Sequence, residues 1–75
     1  MTQKKRSITL HGHRTSVSLE PEFWAIIEQF ALKQDRSIAS LIVEIDDRRV
    51  MEKSPRGLAT YLRVWALKKV QSEVT

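Results

Sequence analysis

Seventy-five residues make one domain with a small core, and chains of this size often gain stability by association. The absence of cysteine excludes disulfides and cysteine metal sites and suits a cytoplasmic location, and no apolar run approaches the roughly 18 residues of a membrane span, so no membrane partner is expected. The net charge of +4 is gathered at one end: residues 1–14 carry Lys4, Lys5, Arg6 and Arg14 and no acid, whereas residues 15–75 carry nine bases and nine acids, a layout that points to a polyanionic partner.

Residues 1–6 read as a basic flexible arm, and residues 7–75 as a single domain. The short apolar stretch Ile8 to Leu10 is ended by His11 and Gly12, which argues against reading the basic start as an export signal. Residues 7–19 read as extended. Val17 and Leu19 alternate with Ser16 and Ser18, the period of a half-buried strand, and Gly12 marks a bend or bulge in it.

A first helix is expected over residues 21–34. Pro21 suits the first helical position, Glu22 suits its positive end, and Phe23, Ile26, Ile27, Phe30 and Ala31 form one apolar stripe. Asp35-Arg36 forms a tight connection. Ser37 then caps a second helix, in which Ile38, Leu41, Ile42 and Ile45 repeat the spacing and which ends near residues 50–53. A third helix follows, with either Ser54-Pro55 as its start or Arg56-Gly57 still in the loop. Leu58, Tyr61, Leu62 and Trp65, flanked by Val64, Ala66, Leu67 and Val70, give it apolar surface for more than one neighbour.

The expected fold class is therefore mainly α: one N-terminal strand followed by three helices. A lone strand leaves its backbone groups without ladder partners, and the economical partner is the same strand of a second copy, antiparallel across a two-fold axis. Such a homodimer has a ribbon whose underside, Val17 and Leu19, lies on a core with Phe23, Ile27, Phe30, Leu41, Ile42 and Ile45. Its outer side carries Arg14, Ser16 and Ser18. A two-stranded ribbon fits the major groove of double-stranded DNA, where arginine can bind guanine through two hydrogen bonds and serine hydroxyls can meet several base edges. Lys4, Lys5 and Arg6 of the arm, with Arg36 and the amides of Ser37 and Ile38 at the start of the second helix, are the expected phosphate contacts.

Thr15 to Leu19, the Phe23–Phe30 stripe, the Asp35-Arg36 link and the Ser37-capped Ile38–Ile45 helix together resemble a ribbon-helix-helix repressor of the Arc and methionine-repressor type. The longer run from Arg6 to Trp24, which contains His11-Gly12-His13-Arg14-Thr15-Ser16-Val17-Ser18-Leu19-Glu20-Pro21, resembles one bacterial subgroup of that superfamily. The resemblance implies that Arg14, Ser16 and Ser18 read bases and that Ser37 and Ile38 hold a phosphate. Asp35 stands where a glycine is common, and Asp tolerates a left-handed backbone. Glu20 stands where a Ser, Asp or Thr cap is common. The third helix lies outside the minimal pattern, and it can enlarge the dimer core, build a higher oligomer on DNA or dock a protein partner.

Other chemistry is weaker. His11 and His13, two apart on a strand without a nearby Cys or acid, make a poor metal site, and no metal or cofactor is expected. Asp46 and Asp47 are adjacent on a helix and point apart, and the serines lack a partner base, so no enzyme is expected. Trp24 and Trp65 suit core or interface packing. The function expected is a sequence-specific DNA-binding transcriptional regulator. The alternative is a dimeric protein-interaction module, or an antitoxin-like protein that grips a partner through its C-terminal helix.

Overall fold

The computed structural model describes residues 2–74. Its elements are β1 (Lys4–Leu10), β2 (His13–Leu19), α1 (Pro21–Lys33), α2 (Ile38–Met51) and α3 (Leu58–Val74). The ribbon-helix-helix succession and the three helices stand as expected, and the strand does not stand alone. β1 and β2 form an antiparallel hairpin in one chain, from Lys4 opposite Leu19 to Leu10 opposite His13. Residues 4–6, expected in a flexible arm, are part of β1. Met1 lies outside the described residues.

The reason is local. His11 and Gly12 have φ of 51° and 80°. Positive φ at both central residues of a two-residue loop matches the right-handed twist of the flanking strands and folds the chain straight back. The supposed bend in one long strand is thus a turn between two, and the ladder partners come from the same chain.

Both helix-to-helix connections also use a left-handed residue. After α1, Asp35 has φ 53°, its amide donates to the Leu32 carbonyl and the Arg36 amide donates to that of Ala31. After α2, Lys53 has φ 52°, its amide donates to Val50 and that of Ser54 donates to Arg49. Each is a Schellman closure, which satisfies helix-end carbonyls and turns the chain sharply. Asp35 accepts this conformation through its short polar side chain, whereas Lys53 holds it without that help. Ser54 to Gly57 form loop rather than helix start, and Ser54 Oγ accepts from the Arg56 amide.

The core joins both strands to all three helices: Ile8, Leu10, Val17, Leu19, Trp24, Ile27, Leu41, Ile42, Ile45, Leu62 and Trp65 are buried. Phe23, Ile26 and Phe30 pack against its margin, so the centre of the α1 stripe falls on Trp24, Ile27 and Ala31. α3 reaches β2, α1 and α2, as its wide apolar surface requires. It is helical to Val74, and Thr75 lies outside the described residues. Burial of each large apolar side chain contributes roughly 1.5–3 kcal/mol.

Polar contacts hold the hairpin at both ends. The Trp24 indole N–H donates to the Lys4 carbonyl at 2.8 Å, and Arg63 reaches the Ser18 carbonyl at 3.4 Å. At the turn, His11 Nε2 lies 2.6 Å from Asp47 Oδ1.

Candidate nucleic-acid interface

Strand alternation gives the hairpin two unlike faces. Ile8 and Leu10 of β1 and Val17 and Leu19 of β2 point inward, at 0–7% exposure. The opposite face carries Lys5, Ser7 and Thr9 from β1 beside Ser18, Ser16 and Arg14 from β2, in that pairing order. All but the half-buried Ser18 are exposed. The face holds two cations, four hydroxyls and no acid. Arg14, Ser16 and Ser18 therefore share one surface, as expected. Ser7 and Thr9 join them, which sequence reasoning missed, and Lys5, expected at phosphate, belongs to the same face.

The expected phosphate contacts divide. Lys4, Lys5 and Arg14 make no ion pair among the described residues. Arg6 is committed inward: its guanidinium lies 2.6 Å from Glu28 Oε1 and 4.7 Å from the centre of the Trp24 ring. A half-exposed ion pair of this kind adds little stability, while the cation over the indole adds about 0.5–1 kcal/mol. Arg36 is likewise engaged. It donates to Glu44 at 3.0 Å, and at 2.8 Å to both the hydroxyl and the carbonyl of Ser40. Ser37 Oγ accepts from the Ser40 amide at 3.0 Å, the capping geometry expected of it. Ile38 opens α2 and packs half-buried against the core.

Glu20, just before α1, makes no capping hydrogen bond. It accepts instead from Arg63 Nε at 2.8 Å and from the Gln3 amide. The Arg63 hydrogen bond, helped by Glu20's own backbone amide and by Gln3, holds the carboxyl at about 2, below the ordinary 4.5. This acid is tied to α3. His11 is occupied by Asp47, and His13 is exposed.

A family model described as a ribbon-helix-helix domain matches residues 3–70, from the start of the hairpin into the last turns of α3. The solved structure of an uncharacterized protein from Bordetella pertussis Tohama I is similar at 31% identity with a TM-score of 0.78. That match covers 96% of this chain and 60% of the other, so this chain spans less than two thirds of its neighbour's length. No curated protein matches the sequence. Proteins with this domain generally bind DNA and form dimers. With the hairpin, the helices and nearly the whole length matched, the chain belongs to the ribbon-helix-helix domain family.

Proposed function

We propose that this protein is a sequence-specific DNA-binding transcriptional regulator that acts as a homodimer and lays the outer face of its hairpin in the major groove. The observation that carries the reading is the acid-free outer face, whose Lys5 and Arg14 have no internal partner among the described residues. A two-stranded ribbon enters a groove about 12 Å wide, and side chains alternating along it meet successive base edges. Arg14 is the candidate for guanine, and Ser7, Thr9, Ser16 and Ser18 for mixed donor and acceptor contacts. Lys4 supplies charge to the flanking backbone. Ser37 and Ile38 at the start of α2 offer a second phosphate contact through backbone amides. The run from His11 to Trp24 supports assignment to the bacterial subgroup whose sequence it resembles.

The protein-docking alternative through α3 is less well supported, since Leu62, Trp65 and Ala66 commit that helix to the core. Selection from random duplex DNA tests the reading, with an Arg14→Ala, Ser16→Ala, Ser18→Ala triple variant alongside. The wild type is expected to enrich one defined site and the variant none. Weak binding shared equally by both, and lost alike as salt rises, would remove the ribbon as a reader.

A further inference from the structure

Cations without partners gather in a second place. A cleft of about 160 Å³ opens between the last turn of α2, the loop after it and α3. Arg48, Arg56 and Lys68 stand around it, and none forms an ion pair among the described residues. Elsewhere Arg6, Lys33, Arg36, Arg49 and Arg63 each have a carboxylate within 3.0 Å. Glu52 is the one acid lining the cleft among the described residues, and it already accepts from the Tyr61 hydroxyl at 2.8 Å. Three cations against one acid leave the cleft with two positive charges in excess. Crowding like charges is unfavourable, and an anion placed among them relieves it.

The lining is also aromatic. Trp65 lines it at 9% exposure, with Phe30 packed edge-on 5.5 Å away. Tyr61 lies one turn earlier on the same face of α3. Its hydroxyl is pushed above the ordinary phenol value by burial first and by Glu52 second, so it stays a neutral donor. The volume is below the roughly 300 Å³ at which sites for drug-sized ligands begin. An occupant is therefore a single ring or smaller.

We propose that the cleft between α2 and α3 binds a small aromatic carboxylate, its carboxylate held by Arg48, Arg56 and Lys68 and its ring set against Tyr61 and Trp65. Arginine suits this task because its planar fork offers paired hydrogen bonds to a carboxylate. The site is separate from the hairpin face and does not depend on the DNA-binding reading.

Titration of the full chain with benzoate, followed by the Trp65 indole N–H resonance, tests it. Acetate supplies the charge alone, benzyl alcohol the ring alone, and inorganic phosphate a different anion. Saturable benzoate binding is expected, at least about tenfold tighter than each of the three controls. The double variant Arg48→Gln, Arg56→Gln alters exposed side chains and should weaken benzoate by about tenfold or more, with unchanged DNA affinity. No saturable shift at Trp65, or equal binding of acetate or phosphate, would overturn the proposal. So would a double variant that binds benzoate normally and loses DNA affinity, because those cations would then serve the nucleic acid.

Discussion

The outer face of the hairpin and the start of α2 carry the same kinds of residue, cations beside serines, in opposite circumstances. On the hairpin, Lys5 and Arg14 face outward with no ion-pair partner among the described residues. At α2, Arg36 is closed onto Glu44 and Ser40, and the Ser37 hydroxyl is spent on the Ser40 amide. A cation satisfied inside its own chain must break those bonds before it meets a phosphate, so its contribution to binding is discounted by what it gives up. Charge counted along a sequence is therefore an upper bound on charge available to a partner.

That contrast can be broken most forcefully from beneath. Val17→Asp places a charge under the hairpin where Val17 is 3% exposed, and should cost about 3–5 kcal/mol, enough to unfold the domain in a denaturant titration. A variant as stable as the wild type would mean that this face of the ribbon is not buried. Arg14→Ala should weaken DNA binding by about 1–3 kcal/mol at unchanged stability. Arg36→Ala, measured beside it, should lose less than Arg14→Ala. If Arg36 proved the more important for DNA, the reading of α2 as internally satisfied would be wrong.

Gly12→Ala should lower stability by about 1–2 kcal/mol, because φ of 80° is strained for any side chain even where there is space for one. Lys53→Gly, by the same argument reversed, should raise the melting temperature modestly, with a gain of about 0.5–1 kcal/mol.

The Glu20–Arg63 pair gives a pH signature. The folded value near 2 lies below the ordinary 4.5, so the pair stabilises fully above pH 4.5, and its contribution is lost as pH falls toward 2. Glu20→Gln should flatten the stability profile across that window. An unchanged acid limb in the variant would place the titration elsewhere.

The helices were legible in the sequence because apolar spacing, the Ser37 cap and Asp35 as a left-handed residue all act within a few positions of one another. β1 was not legible. Its apolar alternation is only Ile8 and Leu10, and the bases before it look like a tail. The usable signal was the dipeptide His11-Gly12 between two alternating runs, a turn pattern less familiar than Asn-Gly. Two of the six residues of the outer face were thereby missed, since Ser7 and Thr9 acquire a role only once β1 is paired. The commitments of Arg6 to Glu28 and Arg36 to Glu44 depend on packing between elements, which no local pattern carries. The cleft beside α3 likewise needs two helices and a loop brought together.

The turn has one further consequence. Every cross-strand pair of the hairpin shares a single midpoint, between His11 and Gly12. If those two residues straighten, residues 4–19 become one continuous strand that can lie antiparallel against its twin from another copy, with each residue meeting the same neighbour type as before. The order of side chains across the ribbon is thus indifferent to which molecule supplies the second strand. Exchange of this segment between copies would leave the cross-strand neighbours unaltered while doubling the length of the ribbon.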